Sequence, residues 1–322
     1  MKKFRFLSLV LALFLLCGCT TSSPQTSGEK LDVVCSLFPY YDFARAIGGE
    51  HVNVRLLVPA GRETHSFEPT PLDVITVSQA DVFLYNGGES EYWVEQILSS
   101  AGENISVTAA MMEHVDALEE EIAEGVEGHH DHDHAHEHNE DEHHHEITYD
   151  EHIWTSPVAA AQLCRAVCDA LCAADSAHAR DYQANLDTYL DELNTLDAAF
   201  CDVVAGARRC TLVFGDRFPL LYFCKTYGLD YRAAFHGCAG DTEPSLATLK
   251  YLIDKVRDEH IPVVYTIELS SQKIADAIAE TTGARVRTFH SCQTVSRQDF
   301  DRGVTYLELM WNNVDALKEG LS

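Results

Sequence analysis

Short apolar runs alternate with segments of helical periodicity along most of the chain, and this alternation constrains the fold more than any other feature. In the first half, strands are predicted at 31–38, 52–58, 81–86 and near 105–107, with helices at 40–47, 71–80 and 92–99. Short strands that alternate with helices are typical of β/α units around a parallel sheet. The sequence therefore predicts an N-terminal α/β lobe over residues 31–156.

The same alternation returns in the last third of the chain. Strands are predicted at 211–214, 231–235, 262–267 and 284–289, with helices at 218–227, 245–258, 271–282 and 300–318. These segments predict a C-terminal lobe over residues 207–322. Two β/α lobes with parallel sheets present their strand ends to a common cleft, where a ligand is expected to bind.

Residues 157–206 carry apolar side chains at roughly helical spacing and no strand pattern. A single long, rigid helix is the simplest prediction, and Asp175-Ser176 is the point at which it would break. Such a helix would join the two lobes and limit their relative movement.

The chain is strongly acidic, with 51 Asp and Glu against 23 Lys and Arg and a formal net charge of −28. This charge argues against nucleic acid as a partner, because the phosphate backbone is also negative. Residues 113–148 form an acidic insertion that is too long and too polar for an ordinary connection. The insertion can raise the local concentration of cations.

Nine of the 17 histidines lie inside this insertion, with acids between them. They are His129, His130, His132, His134, His136, His138, His143, His144 and His145. Imidazole and carboxylate both bind divalent metals, so the run is predicted to be a low-affinity metal loop. The alternative is a solvated segment that binds metal without a functional role.

The N-terminal residues are typical of a bacterial lipoprotein signal. Lys2, Lys3 and Arg5 precede an apolar stretch over 6–16, and a lipobox ends at Cys19. The stretch of 11 residues is shorter than the roughly 20 that a membrane-spanning helix needs. We expect a signal peptide over 1–18, lipidation of Cys19, a flexible tether over 19–30, and a location outside the cytoplasmic membrane.

The chain has 11 cysteines, of which nine remain outside the predicted signal, so they cannot all pair within one chain. Cys164, Cys168 and Cys172 are spaced by four residues on one stripe of a predicted helix. Packing as small apolar side chains is favoured over a thiolate cluster. The sequence leaves the redox state of the nine cysteines open.

Three histidines outside the insertion stand near the ends of predicted elements. His65 follows the strand at 52–58, His152 precedes the long helix, and His290 follows the last strand. Zinc usually has four ligands and binds imidazole nitrogen at about 2.0–2.1 Å. Three histidines from separate segments can therefore almost complete a zinc site in the cleft.

Four spaced motifs carry a resemblance to a known family. They are GRETHSFEPTPLDV, DEHIWTSPVAA, VYTIELSSQKIADAIAETTGARVRTFHS and YLELMWNNVDAL. With the lipobox and the acidic histidine-rich insertion, they resemble the metal-binding lipoproteins of bacterial zinc and manganese ABC importers over about residues 31–317. The resemblance implies a monomeric solute-binding protein, and not an enzyme, that captures a divalent metal between two lobes and hands it to a membrane permease.

The resemblance also implies a ligand set. His65 and His152 match the family's first two histidine ligands, whereas the third position falls on Gly215, which has no side chain to bind metal. His290 matches a fourth position that is commonly an aspartate. Candidates for the remaining ligand are Asp216, Glu268, the His236 and Cys238 pair, and water. Three histidines with water or one carboxylate is the favoured set.

The choice of ligands bears on the metal. A histidine in place of a carboxylate makes the site richer in nitrogen, which favours zinc over manganese, with nickel and cobalt behind. Two other functions stay open. A zinc-dependent hydrolase also has three protein ligands and water, although the sequence has no HExxH motif and no nucleophile elbow. An extracellular zinc buffer or adhesin would keep the cleft without needing a transporter.

Overall fold

Continuous apolar runs of the sequence become the central strands of two parallel sheets. The computed structural model describes residues 30–62, 64, 66–101, 105–121, 123–124, 148–235 and 244–322. Within it, Leu31–Ser322 form a compact unit.

Several predictions fall on residues outside the described parts of the chain. These are the signal peptide 1–18, the lipidation site Cys19, the first histidine ligand His65, the nine histidines between 129 and 145, and the His236 and Cys238 pair.

The first lobe contains a parallel sheet with the order β2-β1-β3-β4. Its strands are β1 (Leu31–Cys35), β2 (Val52–Leu56), β3 (Val82–Tyr85) and β4 (Val107–Ala110), and its helices are α1 (Phe38–Gly48), α2 (Pro71–Ser78) and α3 (Val94–Ala101). Val33, Val82 and Phe83 are fully buried, as central strands of a sheet covered on both faces require. All carboxyl ends lie at one edge, and the order reverses direction between β1 and β3.

Two helices, α4 (Pro157–Ala174) and α5 (Ala179–Ala205), replace the predicted single helix over 157–206. The break occurs at Asp175, where the sequence placed it. The Asp175 carboxylate accepts hydrogen bonds from Ala177 N, Tyr182 Oη and the His178 ring, which fixes the turn. Gln183 Nε2 lies 3.1 Å from Cys168 Sγ, so the two helices fold back on each other as an antiparallel pair.

Helix α5 runs along both lobes. Its first half contacts the first lobe, where Asn185 Nδ2 donates to Ile47 O at 2.9 Å. Near its end, the Phe200 ring lies 4.9 Å from the ring of Phe223 in the second lobe. A helix of 27 residues spans about 40 Å, which is enough to run along both lobes.

Helix α4 has the length and composition of a membrane-spanning helix, but 56% of it is buried inside the protein. Leu163, Cys164, Val167 and Leu171 are fully buried and form part of the hydrophobic core. Its apolar character is therefore that of a core helix.

The second lobe repeats the architecture, with a parallel sheet in the order β6-β5-β7-β8. Its strands are β5 (Thr211–Phe214), β6 (Asp230–Ala233), β7 (Val263–Thr266) and β8 (Arg285–Thr288), and its helices are α6 (Leu221–Tyr227), α7 (Leu246–Asp258) and α8 (Lys273–Thr282). The order reverses between β5 and β7, so their carboxyl ends form the crevice of this lobe.

The predicted C-terminal helix over 300–318 is also two helices, α9 (Arg297–Arg302) and α10 (Tyr306–Gly320). Gly303 ends α9 in the left-handed region with φ 80°, a conformation that glycine adopts without a Cβ penalty. The Thr305 hydroxyl then accepts from Glu308 N and begins α10.

Hydrogen bonds join the two lobes across the cleft. Gly61 N donates to Val295 O at 2.8 Å, and Trp154 Nε1 donates to Ser291 O at 2.8 Å. One hydrophobic core also continues from the first lobe through α4 and α5 into the second. The prediction of two parallel-sheet lobes is confirmed, and their shared core favours a small relative movement.

Candidate metal centre

His152 is buried in the interlobe region, with 1% of its surface exposed. Its ring Nδ1 lies 3.1 Å from Asp150 Oδ1, and its backbone N donates to the same oxygen at 2.8 Å. A carboxylate that accepts the Nδ1 proton fixes the ring orientation and directs Nε2 to a metal, as is usual for histidine ligands. The Asp-Glu-His motif at 150–152 thus supplies both a candidate ligand and the residue that orients it.

The local chain holds this histidine in place. His152 O accepts from the Thr155 hydroxyl at 2.8 Å, and a short 3₁₀ turn over Ile153–Thr155 leads to Ser156, which caps α4. The Trp154 ring packs edge-on against the His152 ring at 5.8 Å. Because Pro157 is the first residue of α4, the helix begins five residues after the candidate ligand.

Electrostatics favour a positive charge at this position. Burial lowers the pKa of His152, but the carboxylates of Asp150, Glu151 and Glu120 outweigh burial and leave this pKa above its ordinary value. Carboxylates that stabilise a singly charged imidazolium also stabilise a divalent cation, because its charge is larger.

A buried polar network lies behind His152 at the end of β3. Asn86 Nδ2 donates to Glu151 O at 3.0 Å, and Ser90 N donates to Glu151 Oε1 at 3.0 Å. The Glu91 carboxylate accepts from the backbone N of Asn86 and Gly87 at 2.7 and 3.1 Å. Burial raises the pKa of Glu91 to about 7, and nearby Glu151 contributes in the same direction.

His290 follows β8 and is partly buried. Asn313 holds its backbone on both sides, because His290 N donates to Asn313 Oδ1 at 2.7 Å and Asn313 Nδ2 donates to His290 O at 2.8 Å. Asn313 lies on α10, so the C-terminal helix positions this candidate ligand.

The structure connects the segments that carry His152 and His290. Trp154 lies two residues after His152, and Ser291 directly follows His290. The indole N–H of Trp154 donates to the backbone O of Ser291. Among the described residues, no three His, Cys, Asp or Glu side chains are arranged as a metal-binding group. Because His65 lies outside those residues, the convergence of the three histidines stays a prediction.

The glycine at the third ligand position has a packing role. A Cβ at Gly215 would lie 2.5 Å from Ala275 Cα on α8, so no larger side chain fits there. Arg217, two residues further on, lies at the interlobe cavity instead. Sequence reasoning did not single out this arginine.

Both carboxylates proposed for the vacant position are engaged in hydrogen bonds. Asp216 is buried and accepts from Arg217 N at 2.8 Å and Ile267 N at 3.1 Å. Glu268 accepts from Ser291 N at 2.7 Å and from the Ser291 hydroxyl at 2.6 Å. In this structure Asp216 closes the ends of β5 and β7, and Glu268 supports the segment that follows His290.

A cavity of about 170 Å³ lies between the lobes at the crevice of the second sheet. Gly61 and Arg62 of the first lobe and Arg217, Glu268, Ser291 and Gln293 of the second contribute to its lining. The cleft predicted from the sequence is therefore present.

The cysteine stripe is on α4, as predicted. Cys164 and Cys168 are buried, and Cys168 Sγ lies 3.9 Å from Cys172 Sγ. Burial raises the pKa of both Cys164 and Cys168, which keeps them as thiols. This environment supports packing over a thiolate cluster.

Comparison with known proteins identifies the family. Residues 33–320 match the model of the family described as zinc-uptake complex component A, periplasmic. The chain is 32% identical over 325 residues to the high-affinity zinc uptake system protein ZnuA of Bacillus subtilis, covering 99% of this chain and 98% of that protein. It is 30% identical to the zinc-binding lipoprotein AdcA of Streptococcus pneumoniae over 99% of this chain, but spans only 61% of that relative.

Solved structures agree with this assignment. The metal-dependent lipoprotein YcdH of Bacillus subtilis superposes with a TM-score of 0.75 at 28% identity, covering 91% of this chain and 100% of that one. The Zn(II)-bound ZnuA-like domain of Streptococcus pneumoniae AdcA gives 0.72 at 26% identity, covering 91% and 99%. The chain therefore belongs to the ZnuA family of zinc-uptake complex components.

Proposed function

We propose that this chain is an extracytoplasmic solute-binding protein that captures zinc between its two lobes and delivers it to an ABC permease. The observation that carries the proposal is the buried His152, whose Nδ1 is held by Asp150 at the boundary between two parallel-sheet lobes. This carboxylate and imidazole pair is a common support for protein-bound zinc. Membership of the family agrees with it.

In this proposal His65, His152 and His290 bind the ion as neutral imidazoles. The buried acids around His152 attract the cation, and the shared core restricts the lobes to small movements on binding. The role is one of binding and delivery by a monomer, without catalysis. Lipidation of Cys19 would keep the protein at the membrane that contains the permease.

A zinc titration against a chromophoric chelator tests the binding site. The wild-type chain is expected to bind one zinc ion tightly, and His152→Ala or His290→Ala should weaken that site by more than 100-fold, since losing a supporting residue alone typically costs about 10–100-fold. His260→Ala is the matched control, because His260 is exposed in the turn that leads to the amino end of β7, away from the cleft. Unchanged tight binding in His152→Ala would contradict the proposal.

We also propose that the histidine-rich run binds additional zinc weakly. The structure defines a clean deletion, because Glu120 N donates to Thr148 O and Asp150 N donates to Leu118 O, which joins the two ends of the insertion. Removing residues 126–146 keeps these bonds and should abolish the weaker sites while the tight site remains. Loss of the tight site in this deletion would show that the two sites are not separate.

Delivery is tested in cells that depend on this importer for zinc. Zinc-limited growth and ⁶⁵Zn uptake should fall in a His152→Ala strain as they do when the gene is deleted. A strain with normal uptake would leave zinc binding without a transport role, as in the buffer alternative.

A further inference from the structure

The two ends of the acidic insertion pair with each other just before the candidate ligand His152. Residues 118–120 and 148–150 form a short antiparallel pair, which we call the stem. In a hydrogen-bonded pair of this kind, the two opposing residues exchange both backbone bonds. Asp150 N donates to Leu118 O at 2.9 Å, but the reciprocal connection from Leu118 N runs through a side chain of the second lobe.

That side chain is Tyr222 on α6. Its hydroxyl accepts from Leu118 N at 3.0 Å and donates to Asp150 O at 3.0 Å. Tyr222 is buried, with 6% of its surface exposed. Removing the hydroxyl would leave two backbone groups without this partner, which is costly in a buried place. One hydroxyl of the second lobe therefore holds both sides of the stem.

The stem leads directly to the metal centre. Asp150 Oδ1 accepts from His152 N at 2.8 Å and lies 3.1 Å from the Nδ1 of the same ring. Tyr222 thus supports His152 through Asp150. It does so from the lobe that carries the other candidate ligand, His290, after β8.

Neighbouring residues of α6 contact the same region of the first lobe. Lys225 Nζ lies 2.7 Å from Glu121 Oε1, and the hydroxyls of Thr226 and Ser156 are 2.9 Å apart. Lys225 and Glu121 are each about half exposed, and exposed ion pairs contribute little to stability. The buried Tyr222 is therefore the contact expected to decide where the stem lies.

We propose that Tyr222 is a positioning residue for the metal centre. Its hydroxyl fixes Asp150, and through Asp150 the His152 ring, relative to the second lobe and His290. Zinc binds imidazole nitrogen at about 2.0–2.1 Å, so ligands from two lobes need a fixed separation to share one ion. Tyr222 itself does not bind the ion. This inference rests on the proposed zinc function.

The test is the chelator titration of the full chain with Tyr222→Phe, which keeps the ring and removes the hydroxyl. Zinc affinity should fall about tenfold, the lower end of the effect of losing a residue that supports a metal ligand. Tyr227→Phe is the matched control, because Tyr227 is also buried on α6 but donates to Asp197 on α5 at 2.7 Å. Both variants should unfold at lower urea, whereas Tyr227→Phe should keep zinc affinity within about twofold of the wild type.

A double variant shows whether Tyr222 acts through Asp150. If it does, adding Tyr222→Phe to Asp150→Asn should weaken zinc binding by less than about threefold further, because substitutions that act through one contact are not additive. A larger further loss would overturn the route through Asp150.

The two proposals fail in different ways. A wild type without tight zinc binding would refute the zinc function. Tight binding in the wild type, with equal affinities in Tyr222→Phe and Tyr227→Phe, would overturn the positioning role of Tyr222 and leave the zinc function in place.

Discussion

The two lobes share a sheet order but hold their buried acids in different ways. In the first lobe, Glu91 lies behind the end of β3 with a pKa of about 7, so it carries a proton for much of the time at neutral pH. In the second lobe, Asp216 lies after β5 and accepts one backbone N–H on each carboxylate oxygen, whereas both backbone N–H groups at Glu91 donate to Oε2. In the first lobe, burial therefore destabilises the ionised form of Glu91. In the second lobe, the hydrogen bonds to Asp216 connect the segments that follow β5 and β7.

This difference shows that position at a strand end does not decide what a carboxylate does. Backbone donors can make a buried charge part of the fold, while incomplete compensation leaves it as a source of pH-dependent instability. Substitutions in the two lobes should therefore have different effects on stability and on metal binding.

The largest expected effect is that of Asp216→Ala. The backbone N–H groups of Arg217 and Ile267 would lose their carboxylate acceptor, which should lower the free energy of unfolding by about 2–4 kcal/mol. Asp216→Asn keeps one acceptor oxygen and should lose less. Urea denaturation of the metal-free protein measures the change, with the exposed Asp315→Ala on α10 as a control that stays within about 0.5 kcal/mol. If both alanine variants unfold alike, Asp216 does not hold the second lobe together.

Glu91→Gln should have the opposite sign. The folded-state pKa of Glu91 is raised from 4.5 to about 7, so the wild type loses stability as the pH rises between these values. Glutamine keeps an acceptor for Asn86 N and Gly87 N without the charge. The variant should match the wild type at pH 4 and be more stable at pH 8, by up to about 3 kcal/mol.

Urea denaturation of this pair at pH 4, 6 and 8 provides the measurement. A stability difference that does not change with pH would mean that Glu91 does not titrate in this range. A loss of stability at pH 8 would mean that the Glu91 carboxylate is needed in its charged form.

Asp150→Asn tests the support of the candidate ligand in the first lobe. Asparagine is nearly the same size but carries no charge, so the His152 ring loses part of its orientation and basicity. Zinc affinity at pH 7.5 should fall about 10–100-fold, which corresponds to roughly 1.4–2.7 kcal/mol. The same chelator titration measures it, and Asp315→Asn serves as the control. A change of less than twofold would remove Asp150 from the metal centre.

The smallest of these effects should be the change of zinc affinity with pH near neutrality. Because the acids around His152 hold its pKa above the ordinary 6.5, protons compete with zinc already above that pH. Apparent zinc affinity should decline on acidification from pH 8, and Asp150→Asn should shift the decline to lower pH. Zinc titrations from pH 5.5 to 8.5 measure this. The prediction is contradicted if the zinc affinities of the wild type and of Asp150→Asn fall at the same pH.

Much of the fold follows from local sequence patterns. The strand predicted at 211–214 has those bounds in β5, and Pro71 begins α2 as its position predicted. These elements depend on short apolar runs and on caps, which the sequence displays directly. The break at Asp175 was visible, but the folding of α5 back onto α4 depends on long-range packing that spacing does not reveal.

The site was less predictable, because its geometry depends on contacts between distant segments. His152 and His290 stand out by residue type and by their place near element ends. The link from Trp154 to Ser291 spans 137 positions, and the presence of Arg217 at the cavity depends on where β5 ends. The restriction at Gly215 comes from Ala275 on a helix 60 residues later, so local sequence could not show it.

The paired ends of the acidic insertion set a limit on distance. Residues 121–147 lie between Glu120 and Thr148, whose backbones are hydrogen-bonded to each other, and Thr148 is four residues before His152. Fully extended, 27 residues reach out and back no further than about 50 Å. Any ion held on that segment is thus confined to a small volume around the cleft, which corresponds to an effective concentration of about 3 mM. If the insertion binds zinc as proposed, a cell starved of zinc would gain a reservoir whose local concentration is set by the covalent connection to the protein and not by the surrounding medium.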